Sequence, residues 1–121
     1  MSIRGLLLAL AVSIACSSDA LALYIRGIDL NSWIQAAARI AAGNPQVTDY
    51  QAATLLQGYV LGVDDSWDLE QDLSMCRLSV AGQLVAVVAQ YVEAHPEKWA
   101  KPAPLLIQQA LLDACKKNRG Q

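Results

Sequence analysis

Residues 75–115 read MCRLSVAGQLVAVVAQYVEAHPEKWAKPAPLLIQQALLDAC, and this stretch decides the fold. It contains two helical patterns separated by the break at His95 and Pro96, with Cys76 and Cys115 at its outer ends. If the two helices fold back on each other, the start of the first meets the end of the second. The two cysteines then come within the distance that a disulfide requires. We therefore expect a helical hairpin closed by a disulfide between Cys76 and Cys115.

Each helix of this hairpin carries an apolar stripe at the spacing of a helix that buries one face. The first helix starts near Ser79, and its stripe consists of Leu84, Val87, Val88, Tyr91, Val92 and His95. Pro96 cannot continue an undistorted helix, so the chain turns there, and Trp99 can cover the edge of the core. Pro102 suits the first turn of the next helix. The stripe of that helix consists of Ala103, Leu106, Ile107, Ala110, Leu111 and Ala114.

Two further helices are predicted before the hairpin. The first ends at Gly43, and its apolar positions are Leu30, Trp33, Ile34, Ala37 and Ala41. The second opens at Thr48, and its apolar face consists of Ala52, Leu56, Tyr59, Val60 and Val63. Gly58 and Gly62 lie four residues apart on the adjoining face, and we expect another helix of the domain to pack closely against them. The sequence thus predicts an all-α fold, a small bundle of about four helices with one intramolecular disulfide.

The N-terminus has the organisation of a secretory signal peptide. A basic MSIR segment precedes an apolar run over residues 5–15, which is too short to span a bilayer. Ala20 and Ala22 supply the small residues of a cleavage site, so we expect residues 1–22 to be removed and residues 23–121 to form the mature domain. Two alternatives stay open, namely a buried N-terminal helix and a lipoprotein signal with Cys16 as the lipidated residue. No other stretch is apolar enough to predict a membrane span.

Removal of the signal peptide on export would change the number of cysteines but not the net charge. Cys16 leaves with the signal peptide, and an even pair in an oxidising compartment indicates a disulfide. The loop that it closes has about 40 residues, for which chain entropy gives roughly 4 kcal/mol as an upper value. The net charge is −2, and the charges lost with the signal peptide, Arg4 and Asp19, cancel. A mildly acidic domain without a basic stripe argues against nucleic-acid binding.

Residues 64–72 are rich in acidic side chains and contain no basic one. Trp67 and Leu69 follow no helical stripe, so we expect a surface loop or a short irregular turn. One interpretation is a solvated linker. The other is a binding loop with an aromatic anchor, whose acids steer a basic partner. On this second interpretation the partner-binding residues are Asp64, Asp65, Trp67, Asp68 and Glu70. The corner formed by Glu97, Lys98 and Trp99 is a second candidate surface.

The sequence offers no catalytic set and no metal site. His95 is the one histidine, and at a helix end it is more typical of a cap or a packed ring. The sequence offers too few ligands beside His95 to complete a zinc site. The acidic residues near Asp64 lack the spacing of a calcium-binding loop. There is no nucleophile elbow and no phosphate-binding glycine loop. The sequence therefore argues against an enzyme and predicts no cofactor.

An ordered set of motifs extends over residues 48–115. It comprises GYVLGV at 58–63, Cys76, GQLV at 82–85, Val87-Val88, Tyr91-Val92, EAHPE at 93–97, Ala103 with Leu105-Leu106, and Ala110-Leu111 before Cys115. This pattern resembles the Rap/Tai family of type VI secretion immunity proteins. The chain departs from that family at Arg77-Leu78, where a proline usually follows the first cysteine. It departs again at Asp113-Ala114, where the family has an aromatic residue and a proline.

The resemblance implies a small helical periplasmic protein with an intramolecular disulfide. Members of the family bind a toxic effector delivered into the periplasm, in some cases a peptidoglycan amidase, and block its active-site cleft, in some cases as homodimers. It therefore implies that this chain binds a cognate secreted effector and protects against self or sibling intoxication. A homodimer is one further expectation. A small helical periplasmic chaperone or envelope-stress protein is the competing class, and acid-induced exposure of apolar surface would distinguish it.

Overall fold

Four α-helices follow one another in the computed structural model, which describes residues 24–70 and 81–118 and, for 68–70, the backbone alone. They are α1 (Gly27–Ala41), α2 (Asp49–Glu70), α3 (Ala81–Ala94) and α4 (Ala103–Asn118), with a 3-10 helix, Pro96–Lys98, between the last two. No strand occurs in these ranges, where Arg26 and Pro102 form an isolated bridge. The predicted helical fold is confirmed for this part of the chain.

The core lies where the apolar faces of the four helices meet. The most extensive contact joins α1 to α2, and α3 packs chiefly against α4. Every predicted stripe contributes to it, and of all the stripe residues only Ala41 is exposed. Helical spacing was therefore a sound guide to the buried faces. The buried hydrophobic residues are Leu30, Ile34, Leu56, Val60, Leu84, Val88, Tyr91, Val92, Ala103, Leu106, Ile107, Ala110 and Leu111.

A glycine closes α1 at the predicted position. Gly43 has a φ of 75°, a conformation that residues with a side chain rarely adopt. Its N–H donates to the carbonyl oxygen of Ile40 at 3.0 Å, and the Asn44 N–H donates to that of Arg39 at 3.0 Å. These two bonds occupy carbonyl groups that the end of the helix would otherwise leave without a partner.

An ion pair fixes the start of α2 to the end of α1. Arg39 donates to the carboxylate of Asp49 through Nε at 2.8 Å and through Nη2 at 2.7 Å. The backbone N–H of Gln46 donates to the same carboxylate at 2.8 Å. The hydrogen bond from Arg39, and then that from Gln46, lowers the pKa of Asp49 to about 2. Asp49 is buried, so the turn between the helices is held by a fully paired carboxylate.

The segment before α1 is fixed to the corner between α3 and α4. The Gly27 N–H donates to the Lys101 carbonyl oxygen, and the Ala103 N–H donates to that of Ile25, both at 2.9 Å. The approach is close, since a Cβ on Gly27 would lie 2.5 Å from Cδ1 of Leu106. This attachment was not predicted, because residues 23–28 show no period.

Aromatic residues stabilise the corner after α3. The Trp99 Nε1–H donates to the Val92 carbonyl oxygen at 2.8 Å, and the ring packs against the core. The His95 ring stacks on Tyr91 with centroids 4.1 Å apart, and its Nδ1 lies 2.7 Å from the Tyr91 carbonyl oxygen. The structure thus confirms that Trp99 covers the core edge and that His95 is a packed ring.

The prediction of a loop at residues 64–72 is wrong for residues 64–70, because α2 continues through Glu70. Val60, Val63 and Trp67 are spaced as on one helix face, and Trp67 packs against the core. Acidic residues near a helix C-terminus oppose the helix dipole, but each such effect is below about 1 kcal/mol at the surface. Burying part of an indole contributes more.

The close packing predicted at Gly58 and Gly62 is also wrong for the described residues. A Cβ on either glycine would meet no atom within 4 Å. The other helices pack against the opposite face of α2, which carries Leu56 and Val60. The glycine pair therefore leaves an open stretch of helix backbone at the surface.

Three predictions involve residues that the structure does not describe. The signal peptide at residues 1–22, including Cys16, lies wholly outside the described ranges, as does Ser79. Cys115 lies on α4, but Cys76 is outside. The disulfide between Cys76 and Cys115 therefore stays a prediction.

Candidate partner-binding surface

Trp67 lies between two grooves on the outside of the bundle. The first, here called the glycine groove, runs between α2 and α4 and has a volume of about 490 Å³. Its lining consists of Gly58, Tyr59, Gly62, Val63, Ser66, Trp67, Pro104 and Gln108. Because the two glycines have no side chains, the floor of this groove includes exposed helix backbone.

The second groove, here called the lysine groove, has a volume of about 300 Å³. Its lining consists of Trp67, Tyr91, Lys98, Lys101, Leu105, Leu106, Gln108, Gln109 and Leu112. Trp67 and Gln108 line both grooves, so the two meet along these side chains. We call the two grooves together the Trp67 surface.

Asp64 and Asp65, two of the predicted acidic residues, lie beside this surface and do not line its grooves. Asp65 is exposed and Asp64 is half-buried on α2, and neither lines the two grooves. The backbones of Asp68 and Glu70 continue the same helix, and their side chains lie outside the described part. Of the predicted binding residues, Trp67 is the one that the structure places in both grooves.

The second predicted surface, the corner at residues 97–99, adjoins the first. Lys98 lines the lysine groove, whereas the Trp99 indole faces Val92 and the core. The Lys98 ammonium donates to the Tyr91 hydroxyl at 2.7 Å and lies 5.2 Å from the centroid of that ring. This hydrogen bond raises the pKa of Lys98. The structure thus brings residues from both predicted surfaces, Trp67 and Lys98, to one groove.

Packing behind the glycine groove keeps its wall in place. The ring of Tyr59 meets Trp33 of α1 edge to face, with centroids 5.9 Å apart and 71° between the planes. Burial raises the pKa of Tyr59. Such edge-to-face pairs add about 0.5–1.5 kcal/mol beyond the area that they bury. This contact with α1 restrains the Tyr59 side of the glycine groove.

A separate exposed apolar site lies at the turn between α1 and α2. Val47 is 98% exposed and Tyr50 is 61% exposed. Tyr50 and Trp67 are separated by about 25 Å along α2 at 1.5 Å per residue. The two sites therefore lie at opposite ends of one helix and can be tested independently.

Within the described residues, no group of three or more histidine, cysteine, aspartate or glutamate side chains could hold a metal ion. None of the helices described there combines the length and the apolarity needed to cross a bilayer. The two grooves together expose aromatic, aliphatic and polar side chains. This composition is typical of protein–protein interfaces.

The sequence model of the Rap1a immunity proteins matches residues 20–115 of this chain. The chain belongs to the Rap1a immunity protein family. The match covers all four helices up to Cys115 and includes the whole Trp67 surface. No curated protein and no solved structure gives a significant match to it. Membership in the Rap1a family agrees with the resemblance to immunity proteins drawn from the motifs.

Sequence reasoning missed the contribution of α4 to the surface of this Rap1a family member. Leu105, Gln108 and Gln109 of α4 line the grooves, as does Lys101 just before that helix, and none of them was a candidate. Of these residues, Leu105 is the one that the sequence could have indicated as a surface contact, because it is a large apolar residue outside the predicted buried stripe of its helix. It is 55% exposed in the structure.

Proposed function

We propose that this chain is a periplasmic immunity protein that binds a type VI secretion effector and covers its active site. The observation that carries the proposal is the family match over residues 20–115. The open Trp67 surface supports it, because an inhibitor that acts by occlusion needs an exposed, complementary face. Aromatic residues at the centre of such faces often contribute most of the binding energy.

The finer parts of the proposal rest on the sequence. Residues 1–22 would direct export, and the disulfide between Cys76 and Cys115 would form in the periplasm. The resemblance to Rap/Tai proteins points to a peptidoglycan amidase as the kind of effector. In this setting the protein acts stoichiometrically, so its protection depends on affinity and on the amount exported.

We place the contact on the Trp67 surface, with the acidic end of α2 beside it. Trp67 would be the anchor, and Asp64, Asp65, Asp68 and Glu70 would steer a basic patch at the rim of the effector cleft. Charges at an interface rim mainly change the association rate, whereas the buried anchor sets the dissociation rate. The two roles can therefore be separated kinetically.

The test is binding to the exported proteins that the flanking genes encode. The chain is produced from its full-length sequence, purified from the periplasm and titrated with each of these proteins. We expect one of them to form a stoichiometric complex. If none of them binds, the proposed function is contradicted.

Two matched leucine substitutions locate the contact. Gly62→Leu fills the glycine groove, whereas Gly82→Leu adds the same side chain on α3, where a Cβ also meets none of the described residues within 4 Å. We expect Gly62→Leu to weaken effector binding at least about ten-fold, which corresponds to about 1.4 kcal/mol. Gly82→Leu should bind like the unmodified chain. Equal affinities would exclude the glycine groove, and a loss on Tyr50→Ala instead would place the contact at the α1–α2 turn.

A further inference from the structure

The lysine groove combines an apolar floor with two cationic side chains. Leu105 and Leu112 of α4 and the Trp67 indole supply apolar surface. Leu105 is 55% exposed, so its side chain contributes little to the core. Lys98 and Lys101 line the same groove, and none of the described residues that line it is acidic. Apolar and cationic groups thus face one small volume.

Lys98 is positioned before any partner binds. Its ammonium donates to the Tyr91 hydroxyl at 2.7 Å, and the Tyr91 ring is itself stacked on His95. An ammonium has three N–H donors, of which this bond uses one. Holding a flexible lysine in place beforehand lowers the entropy that is lost on binding.

No described carboxylate neutralises the two lysines. Among residues 24–67 and 81–118, no carboxylate lies within 4.0 Å of either lysine ammonium, and Arg39 pairs with Asp49 at the other end of α2. Glu97 and Asp113 act on Lys98 only from beyond that distance, and Asp113 accepts a hydrogen bond from Gln109 at 2.8 Å. The net charge of the chain is −2, whereas the charged side chains in the described lining of this groove are the two lysines.

We propose that the lysine groove binds an acidic and partly apolar segment of the effector. An aspartate or glutamate carboxylate pairs with Lys98 and Lys101, and a neighbouring leucine-like side chain rests on Leu105 and Trp67. A volume of about 300 Å³ is at the lower end for ligand pockets, which suits a few side chains. The inference rests on the proposed function and adds the chemistry of the partner segment to it.

The first experiment tests the chemistry of the groove with two peptides that differ in one charge. The isotope-labelled chain is titrated with acetyl-Leu-Glu-Leu-amide and with acetyl-Leu-Gln-Leu-amide, and amide and indole shifts are followed by NMR. We expect the glutamate peptide to shift the Trp67 indole and the Leu105 amide, and to bind at least about three-fold more tightly. Equal binding of the two peptides, or no shift at these groups, overturns the proposal.

The second experiment uses the flanking-gene protein that forms the complex. Lys101→Met and the double change Lys98→Met with Lys101→Met are compared with Lys116→Met, which removes a charge from α4 outside the groove. Each groove lysine should contribute roughly two- to five-fold in affinity, as a partly exposed charge pair does. The affinity of the double variant should also depend less steeply on salt. Helical CD melting checks that the variants fold, and Lys101→Met keeps the bond between Lys98 and Tyr91.

The outcomes separate this inference from the proposed function. If no flanking-gene protein binds the unmodified chain, the proposed function fails, while the peptide comparison still decides whether the groove selects a carboxylate. If the complex forms and the Lys101→Met and double variants bind it as tightly as Lys116→Met does, immunity stands and the lysine groove is overturned as a contact.

Discussion

Replacing Gly58 and Gly62 with alanine should make the isolated protein more stable. Both glycines lie well inside α2, and a Cβ at either position would meet no atom of the described residues within 4 Å. Glycine in a helix interior is disfavoured because it loses more backbone freedom on folding and exposes the backbone to water. Nothing described in the structure offsets that cost.

The magnitude follows from helix propensity. Alanine is more favourable than glycine by about 0.8–1.0 kcal/mol at an exposed interior position. The two substitutions touch no common neighbour, so together they should raise the free energy of unfolding by about 2 kcal/mol. For a domain of about 100 residues, each kcal/mol corresponds to roughly 4–8 °C in Tm.

Gly27→Ala is the matched control, because the same chemical change should act in the opposite direction there. The added Cβ would lie 2.5 Å from Cδ1 of Leu106 and 2.8 Å from Cα of Trp99. The second of these atoms belongs to the backbone and cannot rotate away, so we expect a loss of about 1–3 kcal/mol. Guanidinium titrations followed by far-UV CD measure all three variants, provided that the slope with denaturant stays constant.

A destabilising effect of Gly58→Ala or Gly62→Ala would refute this reasoning. It would mean that backbone or side chains pack against the glycines in solution, either from residues that the structure does not describe or from a second copy. Sedimentation at two concentrations separates these two cases, because only the second depends on concentration.

Three further predictions concern stability. Asp49 has a pKa of about 2, below its ordinary value of 3.8, so its contribution is complete above about pH 4 and is lost as the pH falls through 2. The free energy of unfolding of Asp49→Asn should accordingly vary less between pH 4 and pH 2. Leu106→Ala should destabilise by about 2–5 kcal/mol because the side chain is 2% exposed, whereas Leu105→Ala, at 55%, should stay within about 0.5 kcal/mol. Replacing Cys76 and Cys115 with serine should cost up to roughly 4 kcal/mol in protein purified from the periplasm.

For each of these three predictions, one result would contradict it. A pH profile of Asp49→Asn that parallels the unmodified chain would show that another carboxylate governs acid unfolding. Similar losses for the two leucine variants would place Leu105 in a packed environment. The disulfide prediction is contradicted if the unmodified protein contains two free thiols. In that case the unmodified protein and the serine variant should also unfold at the same denaturant concentration.

The helices could be predicted because each buries one face and keeps its spacing. Leu84, Val88 and Val92 recur at intervals that only a helix brings to one side, and Pro96 marks the end of that pattern. The same rule applied to α2 should have included Trp67, which continues the face of Val60 and Val63. The acidic neighbours of Trp67 suggested a loop, although exposed charges contribute little against the burial of an indole.

The candidate site was harder to predict because it depends on tertiary contacts. Trp67 was recognised from its type, but the grooves on its two sides depend on α4 and on the open backbone at Gly58 and Gly62. A pair of small residues has the same sequence spacing whether it is covered by a helix or left bare. The pairing of Arg39 with Asp49 and the attachment of Gly27 to the corner have no periodic signal either, since they join separate elements.

Survival of cells that receive the effector in their periplasm tests the account most directly. The flanking-gene protein that binds this chain is exported into the periplasm of cells that produce either the full-length chain or residues 23–121 without the export signal. We predict that the full-length chain restores growth, that the unexported form does not, and that Gly62→Leu protects less than Gly82→Leu at equal periplasmic amounts. Lysis that proceeds equally with and without the full-length chain would contradict the claim that this protein confers immunity by binding the effector.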